Sequence, residues 1–322
     1  MLRDSGHSRR ISRRPILAHS ANLRFNSVLL LTIAVEMREG ISMTSTKLTS
    51  TGHALADASW LDTHFQSARP EYEEALRYVG VKPGWKVLDA GCGGGGFLPL
   101  MSELVGPSGS VTAMDLAPEN VAHVEALVRD GKLPATVQAR VGSLLKLPFE
   151  DSTFDCVWSA NVVQYLKEDE FLVAMQEFKR VLKPRGLLAL KDFDNSMVQF
   201  VPMDPGVTAR FFVERRADFA RTGQLGAACG TSLASRLRRA GLTEIRRRGW
   251  LIERWAPVEP ATRTLVEACL KLWSGQAAGY GVSASDLRIW QEAVANPTGL
   301  IDNPDFCWRE FFVLAVGRVT KP

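Results

Sequence analysis

Gly91-Cys92-Gly93-Gly94-Gly95-Gly96 places five glycines within six residues, between a short apolar run and a helix-like segment. Glycine lets the backbone turn sharply and approach a ligand where a side chain would clash. A helix starting just beyond leaves free amide groups facing that ligand. Asp115 closes the next apolar run, and a carboxylate there accepts both hydroxyl hydrogens of a ribose. A plain turn beside a solvated aspartate would require strand, loop, helix and acid to coincide by chance. Gly91, Gly93 and Gly96 also fit the spacing of a dinucleotide fingerprint, so the loop alone leaves a nicotinamide or flavin cofactor open. Candidate proton acceptors are His64 ahead of the glycine loop and Asp192 and Asp194 after the apolar run Leu187–Lys191. His64 suits a helix surface or a packing position equally, and the two aspartates suit loop carboxylates.

These residues need a frame to meet. Apolar spacing predicts helical structure from about Asp57 to Val79, stopped at Gly80. Short apolar strands are predicted at Trp85–Ala90, Ser110–Met114, Thr136–Val141, Phe154–Ala160 and Leu187–Lys191. Between them lie amphipathic helices at Phe97–Val105, Pro118–Arg129 and Asp169–Leu182, the last ended by a turn at Lys183–Gly186. Strands alternating with helices mean βαβ units. The expected fold is α/β: a doubly wound, Rossmann-like, mostly parallel sheet with helices on both faces and added helical cap segments. Such a sheet binds ligands at the carboxyl ends of its strands. That rule gathers Gly91–Gly95, Asp115, Ser143, Asn161 and Asp192 along one edge. The second half is less regular, with helices expected at Ser232–Gly241, Pro260–Gly275 and Ala284–Ala295. Strands are expected at Glu244–Glu253 and within Phe306–Val319.

Three segments now carry a resemblance. Asp89-Ala90-Gly91-Cys92-Gly93-Gly94-Gly95, then Leu147-Pro148-Phe149 with Asp151-Ser152-Thr153-Phe154-Asp155, then Arg180-Val181-Leu182-Lys183-Pro184-Arg185-Gly186 occur in that order. Together they resemble the class I S-adenosylmethionine-dependent methyltransferases, of small-molecule type, over about residues 70–195. The resemblance implies an enzyme with S-adenosyl-L-methionine as cofactor. It implies that Asp89, Gly91, Gly93 and Gly95 hold the methionine part and the ribose edge. Asp115 would bind the ribose hydroxyls, and Leu116 would lie against the adenine. Where the family often has an acid for the adenine amino group, this chain has Gly142-Ser143-Leu144. Ser143 accepts a hydrogen bond more weakly, and Leu144 offers a backbone amide. Asn161 would line the cleft near the reacting sulfonium, Tyr72 could reach over the cofactor, and Tyr165 stands where many relatives carry histidine. A base is needed only for an acceptor that must lose a proton.

Charge and composition bear on the acceptor. The chain has 322 residues and a formal net charge of +4. Residues 1–42 hold seven arginines, no lysine and three acids, so the excess lies there and the rest is balanced. A neutral body gives no electrostatic case for nucleic acid or an anionic membrane. Residues 1–42 suit a disordered leader, a misplaced start or an organelle transit peptide. A cytoplasmic enzyme is expected, or one of an organelle matrix if that segment is a transit peptide. Residues 43–322 are expected to form the catalytic domain, with a cofactor-binding core at about 70–195. Cap insertions are expected at about 195–230 and 257–303. Five scattered cysteines fit free thiols, and no metal-ligand spacing occurs. No segment reaches transmembrane length.

Trp250, Trp255, Trp273, Trp290, Trp308, Phe211 and Phe212 could cap an apolar or aromatic small-molecule acceptor, or simply pack the added helices. Arg246-Arg247-Arg248 reads as a solvated face or an anion site. Asn161-Val162-Val163-Gln164 lacks the proline pair usual in amino-methylating DNA enzymes. The alternatives are a protein or nucleic-acid methyltransferase, a non-catalytic S-adenosylmethionine-binding protein, and a dehydrogenase.

Overall fold

The computed structural model describes residues 58–321. The expectations for residues 1–42 lie outside them. The chain opens with α1 (Ala58–Ser67) and α2 (Arg69–Val79). Tyr72, Ala75, Leu76 and Val79 recur at helical spacing and are buried. Gly80 ends α2 at a φ of 78°, the left-handed turn that glycine makes without strain. The sheet then begins with β1 (Lys86–Ala90), α3 (Leu98–Val105), β2 (Ser110–Asp115), α4 (Pro118–Arg129) and β3 (Val137–Val141). It continues with β4 (Phe154–Ala160), α5 (Glu168–Val181) and β5 (Leu182–Phe193). After β5 come β6 (Gln199–Val201), α6 (Pro205–Thr222), α7 (Leu233–Arg239) and β7 (Thr243–Trp255). The described chain closes with α8 (Pro260–Ala277), α9 (Ala284–Ala295), α10 (Pro297–Ile301) and β8 (Cys307–Arg318).

The strand order is β3-β2-β1-β4-β5-β8-β6, with β7 on β8. β1 to β5 are parallel, and β8 runs antiparallel to β5, β6 and β7. The order reverses between β1 and β4, the crevice where doubly wound sheets hold ligands. Alternate residues feed two cores. Val87, Trp158 and Ala189 face α2 and α3, while Leu88, Val157 and Leu188 face α5 and α7. The expected α/β frame is therefore the observed one.

Two expectations change, and a third gains detail. Lys183–Gly186 does not end α5 as a free turn. It lies at the head of β5, with Arg185 at a φ of 63° and a register shift against β4. Residues 195–230 contain the 18-residue helix α6. The arginine run is not merely a solvated face. Arg246 donates to the carbonyls of Tyr78 and Val79, capping the end of α2, and Arg248 pairs with Glu74 at 2.7 Å. Arg254 grips Glu71 at 2.6 and 2.8 Å, so β7 holds α2 at both ends.

Candidate functional site

The glycine loop leaves β1 at Gly91, whose amide donates to the carbonyl of Met114 on β2 at 2.7 Å. Gly91, Gly93 and Gly95 have φ values of 89°, 52° and 82°. A β-carbon at Gly91 would stand 2.4 Å from Val162 Cγ2, and one at Gly93 2.7 Å from Leu61 Cδ1. The loop therefore needs glycine for its backbone conformation and for its close neighbours. Asp115 organises it. One carboxylate oxygen accepts from the Gly93 amide at 2.8 Å, the other from Ala117 at 2.9 Å and Asn120 Nδ2 at 3.2 Å. Burial pushes the Asp115 carboxyl up, and these hydrogen bonds oppose that rise.

Asp89 lies beneath the loop, 1% exposed, and its Oδ2 has no hydrogen-bond partner. Burial first, and the Asp115 charge second, push its pKa up to about 8. Two neighbouring buried carboxylates, one with an unsatisfied oxygen, suit a ligand that brings a cation. At the ends of β2 and β3, Leu116 and Val141 are exposed, which suits a flat apolar ring laid against them. Ser143 Oγ accepts from the Leu145 amide at 3.2 Å, so its hydroxyl already serves its own turn. Leu144 is partly buried beside it.

The second and third motif segments interlock. Arg180 Nη2 donates to the Leu147 carbonyl at 2.9 Å and Nη1 to the Phe149 carbonyl at 2.7 Å. Glu177 pairs with Arg180 at 2.8 Å and accepts from the Leu147 amide at 2.7 Å. Lys183 pairs with Asp155 at 2.8 Å. These residues fasten the segment before β4 to α5 and β5. Their position on that clamp explains why the segments occur together.

The proposed proton acceptors do not meet. His64 Nε2 lies 3.1 Å from Glu310 Oε2, and its ring stacks on Phe193 at 5.2 Å. Asp192 is fully buried and accepts from the amides of Gln164 at 3.1 Å and Phe193 at 3.0 Å. Burial raises its pKa to about 7, against the pull of Lys191. Neighbouring strand residues point to opposite faces, so Asp192 and Lys191 serve different sides of the sheet. Asp194 is held in a turn, accepting from the amide and hydroxyl of Ser196.

Sequence reasoning missed Lys191 and Glu310. Lys191 is fully buried, with Nζ 2.6 Å from Asn161 Oδ1. The rings of Tyr72 and Phe193 each lie 3.9 Å from that nitrogen, and Phe312 lies 4.3 Å away. Tyr72 stacks on Phe97, the residue that follows the glycine loop, at 5.6 Å. Asn161, at a φ of 61°, closes β4 beside Val162 and so links this cluster to Gly91. The signal was available: Lys191 continues the inward series Leu187, Ala189, Phe193, where a lysine is out of place.

Most of the aromatic residues proposed as a cap are core. Phe211, Trp273 and Trp290 pack together, and Trp250 stacks on Phe312 at 5.4 Å, while Trp255 is exposed. One cavity, of about 120 Å³, opens under α6 between Phe212, Val213 and Phe219, with Arg215, Asn195 and Ala227 on its other walls. Asn195 Oδ1 and Arg215 Nε are buried there without hydrogen-bond partners.

Residues 88–190 match a family model described as a methyltransferase domain. That span runs from β1 through the glycine loop and Asp115 to the end of β5. Residues 88–190 thus carry a methyltransferase domain. A match to a methyltransferase domain speaks against the dinucleotide alternative left open by the loop. The chain is 34% identical over 128 residues to demethylmenaquinone methyltransferase of Staphylococcus aureus, covering 38% of this chain and 49% of that protein. A 37.1 kDa protein of transposon TN4556 in Streptomyces fradiae is 30% identical over 175 residues, covering 53% of this chain and 48% of the other. The chain thus spans about half the length of the curated relatives it matches. A structure of a SAM-dependent methyltransferase from Aquifex aeolicus aligns with a TM-score of 0.46 and 21% identity, over 83% of this chain and all of that one.

Among the described residues, no group of three or more histidine, cysteine or acidic side chains could hold a metal ion. No described helix is long and apolar enough to cross a membrane. The five cysteines are free and buried.

Proposed function

We propose that this chain transfers the methyl group of S-adenosylmethionine to a small organic acceptor with an apolar or aromatic body. The observation that carries the acceptor class is the cavity under α6. Its volume of about 120 Å³ is close to the ~150 Å³ apolar cavity known to take benzene, so it suits one ring. Phe212, Val213, Phe219 and three alanines form its apolar walls, and Asn195, Ser196, Arg215 and Arg216 its polar ones, with an unsatisfied acceptor on Asn195 and an unsatisfied donor on Arg215. The balanced charge of the chain beyond residue 42 favours a small acceptor over nucleic acid. The name of the Staphylococcus aureus relative also refers to a small-molecule acceptor.

The cofactor, when bound, supplies an activated methyl group on a sulfonium. The chain supplies alignment and a dry site. Gly91, Gly93 and Gly95 give backbone room, and Asp89 offers an unpaired carboxylate oxygen to the amino group of the methionine part. Asp115 fixes the loop through Gly93 while presenting acceptor lone pairs to ribose hydroxyls. Leu116 lies open for the adenine face, with Ser143 and the Leu144 amide at its polar edge. Asn161 lines the reacting end. The cap segments about 195–230 and 257–303 would exclude water from the acceptor.

Transfer of labelled methyl groups from the cofactor to cell extracts fractionated by polarity tests this assignment. Label is expected in a low-molecular-weight, apolar fraction. Label only in protein or nucleic acid would replace the small-molecule assignment. Tight S-adenosylhomocysteine binding with no label in any fraction would point to a binding protein.

A further inference from the structure

The arginines of α6 fall into two groups. Arg210 is matched by Asp286 at 2.6 and 2.8 Å, and Arg221 by Asp218 at 2.8 Å. Arg215 and Arg216 line the cavity under α6 and have no carboxylate partner among the described residues. The Nε–H of Arg215 is buried without a hydrogen-bond acceptor, and its guanidinium lies 5.1 Å from the Phe219 ring. A guanidinium cannot shed its charge, so holding it unpaired against an apolar wall is costly until a ligand brings the counter-ion. Among the described residues, no acidic side chain lines the cavity. Asn195 supplies the second unpaired atom: it is 8% exposed, and its Oδ1 has no donor. Its amide donates to the Ala227 carbonyl at 2.9 Å, which fixes it on the cavity wall. Ser196 has already used its hydroxyl hydrogen on Asp194, at 2.5 Å. This wall is tied to the end of β4. Gly226, next to Ala227, donates to the Gln164 carbonyl at 2.9 Å, and Gln164 Nε2 donates to the Asn161 carbonyl at 3.1 Å.

We propose that the methyl acceptor is a one-ring carboxylic acid that also carries a hydrogen-bond donor, in the simplest case a hydroxyl. This inference rests on the methyl-transfer reading above and narrows its acceptor class. The carboxylate seats against Arg215, whose planar edge offers two parallel N–H donors that match the two oxygens. Arg216 adds a second positive charge on the same cavity. The ring lies against Phe212 and Phe219, and Asn195 Oδ1 accepts the hydroxyl hydrogen. The carboxylate is the handle and not the methylated group, because the guanidinium occupies its oxygens. A neutral ring of the same shape leaves the buried Nε–H unpaired. A site built to hydrogen-bond a ligand group rejects analogues that lack it far more strongly than an apolar pocket rejects a change of size. Arginines with a purely structural role would not distinguish an acid from its amide.

Calorimetry on the full chain saturated with S-adenosylhomocysteine compares 3- and 4-hydroxybenzoate with the corresponding hydroxybenzamides and with benzoate. The better hydroxybenzoate should bind at least about tenfold more tightly than its amide, as expected of a hydrogen bond to a charged group. It should bind about two- to tenfold more tightly than benzoate, as expected of a neutral one. Arg215→Met should remove the preference for acid over amide, and Arg215→Lys should restore only part of it, because it returns the charge without the paired donors. Asn195→Ala should remove the preference over benzoate. The comparison of acid with amide on the parent chain decides the matter even if a variant fails to fold. An amide that binds as tightly as its acid, equal weakening of both in a folded Arg215→Met, or no binding of any of these compounds at millimolar concentration overturns the proposal. So does a labelled small-molecule product that an anion exchanger lets through at about pH 8, where a carboxylate is ionised, and the small-molecule assignment then still stands. Failure of S-adenosylhomocysteine to bind overturns the methyl-transfer reading instead.

Discussion

Over β1 and β2 the ligand edge is shaped by backbone. Three glycines at positive φ form the turn, and one carboxylate, Asp115, holds it through amide hydrogen bonds. Over β4, β5 and β8 the edge is shaped by buried side chains. Lys191, Asn161, Glu310, His64 and Tyr72 come from five elements and meet only in the folded chain. The first half is set by short-range rules that tolerate no β-carbon. The second half brings together side chains from distant elements, and burial shifts the protonation of Lys191 and Tyr72 among them. The two halves should therefore fail differently.

The sharpest break falls on the backbone half. Gly91→Ala puts a β-carbon 2.4 Å from Val162 Cγ2 at a φ of 89°. The strained backbone alone costs about 1–3 kcal/mol. Loss of measurable S-adenosylhomocysteine binding by calorimetry is expected, together with a lower melting temperature. Affinity within threefold of the parent chain would mean that the loop is not the cofactor cradle.

The unequal failure follows how the sequence could be read. The β1–β2 half was legible because each of its signals lies within a few residues: strand, glycines, helix, then an acid at the next strand end. The interlocked segments Leu147–Phe149 and Arg180–Gly186 were legible as a pattern, but their work as a clamp through Arg180 and Glu177 needed coordinates. The Lys191 cluster was not legible. Its chemistry depends on β8 pairing with β5, which sets Leu314 opposite Lys191 and carries Phe312 and Glu310 to the same neighbourhood. A pairing across more than 100 residues leaves no local trace. Asp194 looked like a site residue for the opposite reason, because a turn-capping aspartate and a cleft aspartate are the same letter in a sequence.

Opposite responses to pH sharpen the comparison. Asp89 titrates near 8 in the folded chain and near 3.8 as a free side chain, so the folded state holds a proton that the unfolded chain has lost. Its contribution to stability is complete below about pH 4 and is lost as pH rises to about 8. Lys191 titrates near 7 folded and 10.5 free, so between those values the unfolded chain binds the extra proton. Stability is regained there as pH rises. Asp192, raised to about 7, follows the Asp89 direction. Relative to the parent chain, Asp89→Asn should gain melting temperature progressively from pH 5 to 8. Lys191→Met should show its greatest relative advantage at pH 6 and lose it towards pH 10. Differences from the parent that stay flat across these windows would remove the burial argument for the residue concerned.

The smallest effect is expected where this chain departs from its family. Ser143 stands at the adenine edge, and its hydroxyl already accepts from the Leu145 amide. Ser143→Asp keeps an oxygen for that turn and adds a second, charged acceptor for an exocyclic amine. A hydrogen bond to a charged group contributes about 1.5–3 kcal/mol, against about 0.5–1.5 for a neutral one. Part of that difference is offset because the Asp115 carboxylate already places negative charge on this side of the site. The expected gain in S-adenosylhomocysteine affinity is therefore small, about two- to tenfold by that difference. S-inosylhomocysteine, which has no amino group at that ring position, should gain nothing. Equal gains for both ligands would mean that the new carboxylate acts through the loop rather than on the adenine, and Ser143 would leave the adenine edge.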